Sequence, residues 1–164
     1  ETFRSAEAPH LRVCLQPQGL DAREKEDFAR TAPLANDLLL LMLGGTLAEA
    51  VDHFGGVIEN AMIVGPGLPQ LNAINRLRID KFADPEKGFH EVCRIPGMRR
   101  VNQAIGRFVR SESHSANILL HDRRFLENNY FALLRKDLGQ PKILQTTADQ
   151  EEWLRTLSTL PCSR

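Results

Sequence analysis

Gln103, Arg107 and Arg110 place an amide and two guanidiniums four and three residues apart, and at about 100° per residue they fall within a helical arc of roughly 60°. Val101, Ile105, Phe108 and Val109 of the same run, Arg100 to Arg110, gather on the opposite side. A helix that docks the apolar face on a core holds the other face in a fixed position, where two arginines one turn apart grip a polyanion, phosphate foremost. A solvated basic face on an ordinary amphipathic helix has the same pattern. Gly106 weighs against that plainer reading. An interior glycine costs a helix roughly 1 kcal/mol against alanine, and close approach of a backbone or a ligand is one reason to keep it.

A second constellation follows the apolar run Asp37 to Leu43. Gly44-Gly45 permits a tight turn and a close backbone approach, and Glu49 and Asp52 bring two carboxylates together three residues apart. The plainer reading is a turn followed by a capping pair for the next helix. Arg76, Arg78, Lys81, Arg99, Arg100, Arg123 and Arg124 are the candidates for a local basic patch. A scatter of soluble surface arginines is the alternative.

These groups need elements to hold them. Leu11 to Leu15, Asp37 to Leu43, Ala61 to Val64 and Asn117 to Leu120 are short, continuous in apolar residues and bounded by turn formers, which predicts four buried strands. Asp21 and Glu24 have capping-box spacing and predict a helix through Arg30. Thr147 and Gln150 predict the start of a final helix, whose Trp153, Leu154 and Leu157 fold back onto the body. Strands alternating with helices predict an α/β domain with a mainly parallel sheet covered by helices on both faces. In such sheets ligands gather at the carboxyl ends of the strands, so the loops after Leu43, Val64 and Leu120 are where chemistry is expected.

Composition bounds the partners. The chain has 164 residues, 42% of them hydrophobic, with 21 Lys+Arg against 21 Asp+Glu, so it is one ordinary globular domain. The balance leaves nucleic-acid contact to a local patch. Cys14, Cys93 and Cys162 lie far apart without a C-x-x-C, which predicts neither a disulfide framework nor a zinc site, and an intracellular, cytoplasmic setting. The longest apolar run, Leu38 to Leu43, is too short to cross a bilayer, and no signal-peptide layout precedes it, so no membrane partner is expected.

The pattern Gln103-x-x-Gly106-Arg107-x-x-Arg110 resembles motif VI of superfamily 2 helicases. It is preceded by Gly44-Gly45-Thr46-Leu47-Ala48-Glu49-Ala50-Val51-Asp52, by Ile63-Val64-Gly65-Pro66-Gly67-Leu68-Pro69-Gln70 and by Ile95-Pro96-Gly97-Met98, and followed by Leu119-Leu120-His121-Asp122-Arg123-Arg124-Phe125. In that order the series resembles the second RecA-like motor domain of the DinG/XPD family of DNA helicases, in its bacterial DinG-like branch. The resemblance implies a RecA-like three-layer domain over 1–140, incomplete at its N-terminus, with a helical tail over 141–164 packing on it.

By that resemblance Arg107 and Arg110 reach the γ-phosphate of ATP held on a first motor domain, one of them as an arginine finger. Gln103 and Gly106 help place the nucleotide. Glu49 and Asp52 are the acidic positions of motif V, and Gly45, Thr46, Arg76 and Arg100 belong to the track of single-stranded DNA. Arg123 braces the edge or pairs with Asp122. The partners implied are the first motor domain and single-stranded DNA, moved 5′ to 3′. ATP and Mg²⁺ are bound mainly by that first domain, since this chain has neither a P-loop nor an acidic box, and it has no iron-sulfur cysteine set. Alone it is expected not to hydrolyse ATP. Ala50 departs from the family's E-G-I-D by placing a methyl where glycine is usual. A degenerate scaffold or binding module, or an RNA-directed relative, is the alternative function.

Overall fold

Among the described residues four short strands pair in parallel, and each pair is joined through a helical crossover. A computed structural model of the chain describes residues 10–45, 58–108 and 116–158. It divides into two units, Glu1–Leu134 and Arg135–Arg164. In the first unit β1 (Val13–Leu15) pairs with β2 (Leu38–Leu40), aligning Val13 with Leu38 and Leu15 with Leu40. Likewise β3 (Asn60–Val64) pairs with β4 (Asn117–His121), Asn60 with Asn117 and Val64 with His121. The α/β class and the parallel pairing are those expected. Among the described residues the strands stand as two separate pairs.

The first pair is shorter than its apolar runs because side chains take over the main-chain bonds at both ends. At the amino end Arg12 N–H and Nη2–H donate to the Asp37 carboxylate at 2.8 and 2.9 Å, and Asp37 N–H donates to the Arg12 carbonyl at 2.9 Å. This guanidinium holds the Asp37 carboxyl down at about 2. At the carboxyl end the Gln16 side-chain oxygen accepts from Met42 N–H at 2.8 Å. The ladder stops where these side chains begin.

The crossover α1 (Ala22–Ala35) starts at the expected capping box: Glu24 N–H donates to Asp21 Oδ1 at 2.8 Å and Asp21 N–H to Glu24 Oε2 at 2.9 Å. It runs past Arg30 and carries Pro33 in its last turn. The Asn36 main-chain and side-chain N–H groups both donate to the Ala32 carbonyl, closing that end. Ala29, fully buried, seats the helix against Leu39, Leu41 and Ile58.

Between β3 and β4 the chain forms α2 (Ala73–Ile79), α3 (Pro85–Phe89), a π-helical turn (His90–Arg94) and α4 (Ile95–Phe108). The last three are continuous, so α4 begins five residues before the Arg100 start of the expected run, with Pro96 inside it. The wide π turn makes this possible. An α-turn would drive the proline ring into the carbonyl four residues back. Arg94 is buried in that turn, 4.9 Å from the Tyr130 ring centroid and 5.5 Å from that of Phe89, with Nη2 on Glu86 at 2.7 Å and Nη1 on His90 Nδ1 at 3.0 Å.

Beside the Ala29 cluster, a larger core gathers around α4. Met98, Val101 and Ile105 of α4 pack with Ile63 of β3 and with Phe125 and Tyr130, which lie in a 3₁₀ turn (Arg123–Leu126) and in α5 (Asn128–Phe131). Leu43, Leu68, Ile118 and Leu120 border them. In the second unit α6 (Thr147–Ser158) is capped one residue earlier than expected. Thr146 Oγ1 accepts from Asp149 N–H at 3.1 Å, and the Asp149 carboxylate accepts from Thr146 N–H at 2.8 Å and Gln145 N–H at 3.0 Å. A carboxylate three residues on completes this box better than the amide of Gln150.

A close main-chain contact lies where α4 meets the turn after β3. A Cβ on Gly97 would sit 2.6 Å from the Pro66 carbonyl oxygen and 2.8 Å from Leu68 Cδ2. Alanine would gain up to about 1 kcal/mol of helix propensity, but overpacking against main-chain atoms that cannot swing aside costs about 3 kcal/mol. Gly97→Ala is therefore expected to lower stability by about 2 kcal/mol in urea unfolding. A neutral or stabilising value would mean that the helix and the turn are not in contact.

Candidate functional site

The helix α4 has the two faces expected of it. Met98, Val101 and Ile105 are at most 2% exposed, while Gln103 is exposed and Gly106 and Arg107 are half-buried. About two turns of buried apolar residues fix the side of the helix from which Gln103 and Arg107 project. Arg110 lies outside the described residues, as do Thr46, Glu49 and Asp52. The two-arginine grip and the carboxylate pair of the sequence reading are thus represented here by Arg107 and by the Gly44–Gly45 turn that leads toward the acidic positions.

The carboxyl ends of β2 and β3 meet at the amino-terminal part of α4. After β2 the chain turns at Gly44, and Gly45 N–H donates to the Met42 carbonyl at 2.9 Å. After β3, Pro66 is fully buried and Gly67 adopts a φ of 61°. A Cβ at Gly67 would lie 2.7 Å from Leu43 Cδ2 and 3.3 Å from the Gly97 carbonyl oxygen. Leu43, which ends the apolar run of β2, therefore packs on the turn of the other strand pair. Arg100 joins them, its Nη1–H donating to the Gly67 carbonyl at 3.0 Å.

Of the expected basic patch, Arg76, Arg78, Lys81, Arg99 and Arg123 are exposed, whereas Arg100 and Arg124 are half-buried. Arg76 stands on α2, with Nε–H donating to the Leu71 carbonyl at 3.3 Å. Asp122, the residue after β4, pairs with Arg124. Oδ1 accepts from Arg124 N–H and Nε–H, both at 2.9 Å, and Oδ2 from Nη2–H at 2.7 Å. The expected Arg123 pairing is replaced because the 3₁₀ turn begins at Arg123 and Asp122 caps it through the N–H two residues on. A planar fork on a carboxylate then closes the ring.

Two residues that hold the site were not singled out from the sequence. Asn102, next to Gln103, donates from Nδ2 to the Leu133 carbonyl at 2.7 Å and ties α4 to the segment after α5. Gly97 stands in the Ile95-Pro96-Gly97-Met98 run. A glycine in the first turn of a helix, with proline before it, was the available signal for the close contact it makes. Among the described residues no group of three or more His, Cys, Asp and Glu is arranged to hold a metal ion, and no helix is long and apolar enough to cross a membrane.

Compared with known protein families, residues 4–140 match the helicase C-terminal domain.

The pair between Asp122 and Arg124 carries a pH prediction. The guanidinium holds the Asp122 carboxyl down at about 2, against about 3.9 in an unfolded chain. A depressed folded value gives stability that is complete above the unfolded pKa and is lost as the pH falls toward the folded one. With the Arg124 side chain 38% exposed, solvent screening limits the pair to about 1 kcal/mol. Asp122→Asn should cost that amount at pH 7 in urea unfolding, with the gap to wild type closing as the pH is lowered from about 4 toward about 2. A gap independent of pH would place the loss in the turn cap instead.

Proposed function

The chain belongs to the helicase C-terminal domain family, and from that premise we propose that it is the second motor domain of an ATP-dependent DNA helicase of the DinG/XPD type, in the bacterial DinG-like branch. The observation that carries this reading is α4. Its buried face of Met98, Val101 and Ile105 orients Gln103 and Arg107 to one side, and the turns after β2 and β3 pack at its amino-terminal part. An amide and a guanidinium on one face of a helix whose amino-terminal part meets glycine-bearing strand ends suit a phosphate ester better than a small neutral ligand.

In this reading ATP is the substrate, held in the cleft between this domain and a first motor domain that also carries Mg²⁺. Mg²⁺ supplies charge neutralisation on the phosphates. This chain contributes Arg107 and Arg110, which face the γ-phosphoryl group. Water attacks the phosphorus, the bond to the bridging oxygen breaks, and the charge that develops is stabilised by the guanidiniums. Gln103 orients the nucleotide. Gly106 keeps the helix surface low where it approaches the phosphates. Glu49 and Asp52 relay the nucleotide state toward the track of single-stranded DNA, to which Gly45, Thr46 and Arg76 belong. Loss of the γ-phosphate lets the cleft open, and repeated closure moves the strand with 5′-to-3′ polarity.

A second reading, a binding module that has lost motor activity, is favoured by Ala50. Its methyl stands at a position where the resembled motif has glycine. RNA in place of DNA is a further variant of the first reading.

One experiment separates them. The full-length protein containing this chain, or this chain mixed with its matching first motor domain, is assayed for ATPase activity with and without single-stranded DNA and RNA. Arg107→Ala and Arg110→Ala are expected to lower the DNA-stimulated kcat by about 10³-fold or more. Stimulation by RNA alone would move the substrate to RNA. No nucleic-acid-stimulated turnover, with both variants indistinguishable from wild type, would replace the motor by the binding module.

A further inference from the structure

Resting on the motor reading, we propose that Arg100 is a positioning residue: a strut that locks the turns after β2 and β3 to the helix presenting Gln103 and Arg107, so that the three move as one body through the nucleotide cycle.

Three segments far apart in sequence converge on this side chain. Its Nη1–H donates to the Gly67 carbonyl at 3.0 Å. Its stem passes so close to Gly44 that a Cβ there would stand 2.7 Å from Cδ and 2.9 Å from Nε. Its own backbone belongs to α4, one turn before Gln103. Gly44 has a φ of +78° and is open to this approach only because it lacks a side chain. The neighbouring Arg99 is exposed, so of two consecutive arginines one faces solvent and the other is turned into the fold.

The rotation of α4 explains why such a strut matters. Asn102 donates to the Leu133 carbonyl at 2.7 Å, about 200° around the helix from Arg100. Two polar anchors on opposite sides set the angle of the helix about its axis. A slip of one residue would turn Gln103 and Arg107 by about 100°. Apolar packing alone tolerates small rotations, whereas a hydrogen bond to a carbonyl in a fixed turn does not. Arg100 therefore acts on the reaction through other residues, and it is removed from the set that grips DNA.

The test uses Arg100→Met in the full-length protein. Methionine keeps an apolar stem over Gly44 and removes the donors, and its thermal midpoint reports whether the fold is kept. Arg100→Ala and Gly44→Ala accompany it. The readouts are ATPase kinetics and binding of a fluorescent oligothymidylate across a salt series. A strut predicts that DNA-stimulated kcat falls by about tenfold or more, while DNA affinity stays within about twofold and the salt slope is unchanged. Gly44→Ala carries a backbone cost of its own at φ +78°, and its effect should be smaller in the Arg100→Ala background than in wild type, because the clash with the arginine stem is then gone. A fall in DNA affinity with the slope reduced by about 0.7 makes Arg100 a phosphate contact and overturns the strut. Unchanged kcat and unchanged binding overturn it as well. If wild type hydrolyses ATP and Arg107→Ala abolishes this while Arg100→Met does not impair it, the strut alone fails. If wild type has no DNA-stimulated ATPase, the motor reading fails and the strut's role goes with it.

Discussion

Main chain against main chain, with no room for a side chain between, is the contact on which the unit depends. Gly97 lies on the Pro66–Leu68 turn and Gly67 lies on Leu43 and the Gly97 carbonyl. This joins the end of β2, the end of β3 and the start of α4 at one point. Among the described residues each strand pair is only two strands wide, and a pair of that width would be marginal by itself. The close contact makes them neighbours of a shared helix. Pro66, fully buried at the centre, has no N–H to leave unsatisfied there, which is why a turn can be packed so deeply.

The helix above this joint is a device for aiming. Its apolar face is buried to within 2% at three positions, while Arg100 and Asn102 donate to carbonyls on different sides of it. Arg94, in the π turn just before, stacks on Tyr130 and Phe89 and pairs with Glu86. Desolvation works against its charge, and the Glu86 contact and the ring faces offset that cost. Polar anchoring on several sides converts a helix that merely packs into one with a defined rotation.

Much of this was legible from residue types. The four apolar runs marked where the strands lie, but the expected burial is corrected, since Ile63 alone of their residues is buried and the others are half-buried or exposed. The capping box at Asp21 marked α1, because its two hydrogen bonds are local. The division of α4 into an apolar and a polar face followed from periodicity. What was not legible came from contacts distant in sequence. The ends of β1 and β2 depend on Arg12, Gln16 and Asp37 competing for main-chain groups. Choosing Arg124 over Arg123 as the partner of Asp122 depends on the geometry of a short 3₁₀ turn. The earlier start of α4 depends on a π turn that no periodicity announces. The inward course of Arg100 was invisible, since an arginine beside another arginine reads as surface.

The parallel pairing of β3 with β4 also orders events during synthesis. Asn60 and Asn117, joined side chain to side chain, are 57 residues apart. At 5–20 residues per second, β3 leaves the ribosome about 3–11 s before its partner exists. For that interval it has no hydrogen-bonded neighbour from β4, and Met62 and Val64, which remain 54% and 69% exposed even in the folded chain, lie along an open strand edge. The helices α2 to α4 form from local contacts in far less time. The nascent chain therefore presents an unpaired apolar strand beside helices that still lack Phe125 and Tyr130 to pack on, and this is the state a chaperone would meet first.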